Sequence, residues 1–91
     1  MAVRERSQQL IDRWIELDTA RPGPQGARLR EFGVPVWSLV GYWQGSERDA
    51  DAVARAFDLP AEAVAAAIAY YRRHARPIDA RIALNAAAFS S

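Results

Sequence analysis

The chain has 91 residues, 51% of them hydrophobic, no cysteine and a formal net charge of +1. That length allows one domain at most, of a size that often leans on oligomerisation for stability. Its apolar content fits a globular fold rather than a disordered one. No apolar run nears the ~18 residues of a membrane helix, and without cysteine there are no disulfides or thiolate metal sites.

No apolar stretch resembling a signal peptide follows Met1 to Arg6, so a cytoplasmic protein is expected. The balanced charge hides an uneven distribution in which every cation is arginine. Glu47, Asp49, Asp51, Asp58 and Glu62 make 47–62 acidic; Arg72, Arg73, Arg76 and Arg81 make the following stretch basic, and Arg28 and Arg30 form an earlier pair.

From Ser7 to Asp18, Leu10, Ile11, Trp14, Ile15 and Leu17 recur at helical spacing, with Ser7 placed to cap. This amphipathic N-terminal helix, within a segment 1–20, can pack on its own domain or dock a partner through Trp14. A Pro/Gly linker at 21–27 follows, where two prolines and two glycines break helix. A third unit, 28–91, then carries the main fold. Residues 28–34 are the strand candidate, with Arg28, Arg30 and Phe32 on one side and Leu29 and Glu31 on the other. Such a strand needs a second strand or a symmetry mate. Val36, Leu39, Val40 and Trp43 fall on one face of a helix opened by Pro35 and ended near Gly45. Ser46 and Asp49 have capping-box spacing for the next helix, with Ala50, Val53, Ala54 and Phe57 on its buried face. Pro60 opens a helix running to about His74, with Val64, Ala67, Ile68 and Tyr71 inward. Pro77 begins a final helix with Ile78, Ile82 and Phe89 inward.

Residues 50–69 fit a helix-turn-helix. Small Ala54 sits where the helices cross, and Asp58 takes the turn position that calls for left-handed geometry. The expected fold is therefore mainly α. A tri-helical, winged-helix-like helix-turn-helix core is preceded by a short β segment and the N-terminal amphipathic helix. In DNA-binding versions the second helix reads base edges with exposed residues. Here those positions are Ala61, Glu62, Ala65, Ala66 and Ala69, and alanine lacks the hydrogen bonds that discriminate bases. Close helix packing in a dimer or partner contact explains Ala65, Ala66 and Ala69 better. DNA contact, if any, falls to Arg28, Arg30, Arg72, Arg73, Arg76 and Arg81, whose other reading is solvated surface.

Catalytic chemistry is thin. His74 has no nucleophile beside it and no second histidine for a metal. Asp49 and Asp51 do not share a helix face. No enzyme, cofactor or metal is expected. Trp43 reads as core; Trp37 and Tyr42 read as interface anchors.

The run Phe32-Gly33-Val34-Pro35-Val36-Trp37-Ser38-Leu39-Val40, then Gly45-Ser46, Leu59-Pro60, Val64, Ala67-Ile68-Ala69-Tyr70-Tyr71 and Ile78-Asp79, resembles the family called domain of unknown function 433, described as VapB-like antitoxins. The resemblance spans roughly residues 28–85. It implies a helix-turn-helix protein that often dimerises, binds a PIN-like ribonuclease toxin and represses its own operon. The family's Gly-Thr-Arg before the Pro-Val pair is replaced here by Glu31-Phe32-Gly33, with Arg28 and Arg30 upstream. The expected role is thus antitoxin-like: toxin binding, a homodimer, and DNA contact as a secondary activity. The alternative is a DNA-free dimerisation or assembly module in a larger complex.

Overall fold

A computed structural model describes residues 2–90, with side chains described for 5–88. Five helices and a two-stranded antiparallel sheet make up the described residues. Helix α1 spans Ala2–Trp14, followed at once by β1, Ile15–Glu16. A single 3-10 turn, Pro24–Gly26, leads to β2, Arg28–Leu29. Then come α2 (Val36–Gly45), α3 (Ala50–Phe57), α4 (Ala61–Arg73) and α5 (Ala75–Ser90).

The first helix starts before the expected Ser7 cap and stops sooner than expected. Ile15 and Leu17 share helical spacing with Trp14, but Ile15 and Glu16 pair instead with Leu29 and Arg28. The extended pair buries both Ile15 and Leu29 while letting Glu16 meet Arg28 across the strands. The second strand comes from the same chain, so no symmetry mate is needed. The 28–34 strand is also shorter than its alternation suggested. Glu31 takes φ 74° and Gly33 φ 70°, turning the chain so that Gly33 N–H donates to Leu29 O. Glu31 is consequently exposed while Leu29, on the same side of the expected alternation, is buried.

Helix α2 follows its sequence pattern closely. Val36, Leu39, Val40 and Trp43 are its buried residues. The following helix does not begin at Ser46. Glu47 and Arg48 both adopt left-handed backbone angles, and Arg48 N–H returns to Trp43 O. Asp49 is the cap of α3, its carboxylate accepting from the N–H groups of Asp51 and Ala52. Val53 alone on that helix is fully buried; Ala54 and Phe57 are half-buried, and Ala50 is exposed.

The corner between α3 and α4 closes as the turn chemistry requires. Asp58 sits at φ 55°, ψ 54°. Its N–H reaches Arg55 O, and Leu59 N–H reaches Ala54 O at 2.9 Å. This pair of bonds satisfies carbonyls that the helix end would leave unpaired. Pro60 caps α4, whose missing N–H costs nothing there. On α4, Val64, Ala67 and Ile68 are buried as expected, but the buried tyrosine is Tyr70, with Tyr71 half-exposed. Helix α5 begins two residues before Pro77, which lies in its first turn where an amide is dispensable. Ile78 is buried and Ile82 packs against the core; the Phe89 side chain lies outside the described residues. Ile15, Ala27, Leu29 and the α2–α4 residues share one core, so the segments on both sides of the Pro/Gly stretch contribute to it.

Candidate functional site

The face of α4 that a DNA reader would present is partly covered: Ala66 is buried and Ala69 half-buried, while Ala61, Glu62 and Ala65 stay exposed. Helix α1 packs more extensively on α4 than on any other element. Arg73 donates to Gln8 at one end of the contact, and Arg13 lies 4.0 Å from Glu62 at the other. The two helices therefore run antiparallel. Glu62, Ala66, Ala69 and Arg73 recur at i, i+4, i+7 and i+11, one stripe of α4. Small residues in the middle of that stripe let another helix approach at close range. Leu10, Ile11 and Trp14 supply the apolar side of α1 that packs against the core.

This corrects the expectation for Ala66, which has no exposed surface. Close packing over alanine does occur, but the covering helix is the chain's own α1. Ala69 is half-buried and Ala65 is exposed. Trp14 is likewise half-buried: its ring stacks on Phe32 with centroids 6.2 Å apart, and its indole Nε1 is buried without an acceptor. The N-terminal helix is thus a part of this domain, using Trp14 inside.

The arginines divide into engaged and open groups. Arg28 Nε lies 2.7 Å from Glu16 Oε2 across the sheet. That hydrogen bond, and then the attraction of the same carboxylate, push the Arg28 pKa up. Arg30 turns back on α1. Its Nε donates to Arg13 O, and Nη2 donates to Asp12 O at 3.3 Å and Ile15 O at 2.9 Å. It closes the C-terminal carbonyls of α1, where a cation also offsets the helix dipole. The pair expected to grip phosphates therefore holds the N-terminal arm onto the fold. Arg72 and Arg76 are exposed at the end of α4 and the start of α5, whereas Arg73 is engaged with Gln8.

The aromatic candidates also separate. Trp37 is half-buried, with the Arg81 guanidinium 4.3 Å above its ring. Tyr42 is 45% exposed and meets Phe57 edge-on at 5.5 Å. Trp43 is buried as expected, edge-on to Tyr71 with Arg48 over its ring. Tyr71 donates to Asp79 and accepts from Gln44; the bond to Asp79, ahead of burial, raises its pKa. Burial raises that of Tyr70, whose hydroxyl donates to Pro24 O at 3.2 Å. His74 stands against the Tyr70 ring at 4.5 Å.

Two cavities border the Pro/Gly segment. One, of about 420 Å³, has mainly apolar walls from Ile11, Ile15, Leu17, Pro24 and Tyr70, with His74 at its edge. The other, of about 300 Å³, gathers Arg21, Arg28, Arg81 and Trp37. Sequence reasoning did not anticipate the second, because its arginines come from positions 60 residues apart. The one available hint was Arg81 falling on the same helical stripe as Ile78 and Ile82.

The structure defines a small, mainly α domain in which a helix-turn-helix corner carries an extra helix across its second element. No helix among the described residues is long and apolar enough to cross a membrane. No family model, curated protein or solved structure matches the chain.

Proposed function

We propose that this chain is a non-catalytic module that works through protein contact, as an antitoxin of the resembled family would toward a PIN-like ribonuclease. The observation that carries the protein-contact reading is the seating of α1 on the Glu62–Arg73 stripe. With α1 in place, Ala66 is out of reach and Ala69 half-covered, which narrows the part of α4 that a major groove could receive to Ala61, Glu62 and Ala65. A surface open to a partner is the Tyr42 and Phe57 side of α2 and α3, where exposed Tyr42 packs on half-buried Phe57 and offers the anchor that interfaces favour. The toxin assignment itself rests on the resemblance of residues 28–85.

Co-expression with the products of the flanking genes tests the reading. The antitoxin proposal expects a stable complex and relief of growth arrest by one of them, both weakened by Tyr42→Ala. Growth arrest that persists, with no complex formed, contradicts it.

The same observation favours a second reading, a DNA-free dimerisation or assembly module. A gel shift on the chain's own upstream DNA separates the two. Affinity that falls steeply with salt and is weakened by Arg72→Gln and Arg76→Gln supports an operon-repressing antitoxin; no shift at low salt supports the assembly module.

A further inference from the structure

The cavity of about 300 Å³ beside the Pro/Gly segment carries an unbalanced positive charge. Arg21 comes from the turn after β1, Arg28 from β2 and Arg81 from α5, and Trp37 of α2 forms a wall. Glu16 neutralises Arg28. Asp18 also lines the cavity, with its Oδ1 accepting from Ala20 N–H. Among the described residues, neither Arg21 nor Arg81 makes a salt bridge.

Arg81 is the informative member. It lies half-buried on the inward stripe of α5, between buried Ile78 and half-buried Ile82. Arginine at such a position normally has an anionic partner, because partial dehydration of an unpaired cation is costly. Here the guanidinium instead sits over the Trp37 ring, 4.3 Å from its centroid, a contact that holds it without using its N–H donors. A guanidinium held at the wall of a concave site, with a second cation, Arg21, in the same lining, is an arrangement that can recognise oxyanions.

We propose that this cavity binds a phosphate monoester. Two guanidiniums without an ion pair, Arg21 and Arg81, suit the nearly double negative charge of a phosphate monoester better than the single charge of a carboxylate. The volume lies at the small end of ligand pockets, so the phosphate and its immediate substituent fill it. That phosphate can belong to a free small ester or to the end of a nucleic acid strand. The inference does not depend on the protein-contact reading.

Calorimetric titration of the full chain at low ionic strength tests it, with AMP, adenosine, and a short single-stranded oligonucleotide with and without a 5′-phosphate. The expected result is binding of AMP and none of adenosine. Arg81→Gln and Arg21→Gln should each weaken AMP binding by about tenfold, while Arg55→Gln on the exposed side of α3 should leave it unchanged. Arg21 sits on an exposed turn, so its substitution keeps the test decisive even where Arg81→Gln loosens Trp37. Preference for the 5′-phosphorylated strand over the bare one assigns the site to strand ends; binding of AMP alone assigns it to small esters. Equal binding of AMP and adenosine, or equal AMP affinity in the parent chain and both variants, overturns the proposal.

Discussion

Ala65 and Ala66 are adjacent, chemically identical and differently placed: Ala65 faces solvent, whereas Ala66 lies fully buried on the stripe where α1 packs. The same contrast separates Arg30, folded onto the carbonyls that end α1, from Arg72 at the exposed end of α4. In both pairs residue type is silent and position decides. What distinguishes the members is whether the N-terminal arm reaches them. The helix-turn-helix corner is therefore a platform for α1 along one stripe of α4, beside which Ala61 and Ala65 face solvent.

The sharpest way to break this comparison is to place the same large cation at both alanines. Ala66→Arg should cost about 3 kcal/mol or more in denaturant unfolding, since it overpacks a helix crossing and strands a charge there. Ala65→Arg should stay within about 0.5 kcal/mol, as exposed substitutions do. Equal effects would mean that α1 does not press on α4. Next in size is Arg30→Ala, expected to lower stability by about 1–2 kcal/mol through loss of its charge-assisted bonds to carbonyls at the end of α1 and in β1. Arg72→Ala should be near neutral by the same thermal or denaturant measurement.

At the start of α3, Asp49→Ala should cost about 1 kcal/mol and Ser46→Ala far less, because the Asp49 carboxylate accepts the two N–H bonds. The smallest effect concerns pH. Tyr70 and Tyr71 both hold their protons more tightly in the folded state than in the unfolded one. Their contribution to stability is complete below about pH 10 and is lost as the pH rises through their folded pKa values. Tyr70→Phe should therefore reduce the alkaline loss of stability while leaving the Tyr71 share. An unchanged alkaline profile would show that Tyr70 is not buried in solution.

Features set by near neighbours were legible in the sequence. The four-residue face of α2, the left-handed Asp58 and the entry of α4 at Pro60 each follow from spacing or from one residue's backbone preference. Features set by distant pairing were not. Ile15 has the same helical spacing as Leu10, Ile11 and Trp14, and only its partner Leu29 reveals it as strand. Ser46 and Asp49 both suit a cap; the left-handed Glu47 and Arg48, bonded back to Trp43, select Asp49. Arg30 looked like a surface cation because its acceptors lie 15–18 positions away. The alanines of α4 did signal close helix packing, but composition cannot say whether the second helix belongs to the same chain.

Amide hydrogen exchange across α1 tests the seating of α1 most directly. A helix of 13 residues is marginal in water by itself, so strong protection there must come from docking. The account predicts that the amides of residues 9–14 exchange slowly in the parent chain and lose that protection in Ala66→Arg, while those of α4 keep theirs. Fast exchange of residues 9–14 in the parent chain, with α4 protected, would contradict the claim that α1 is seated on the Glu62–Arg73 stripe of α4.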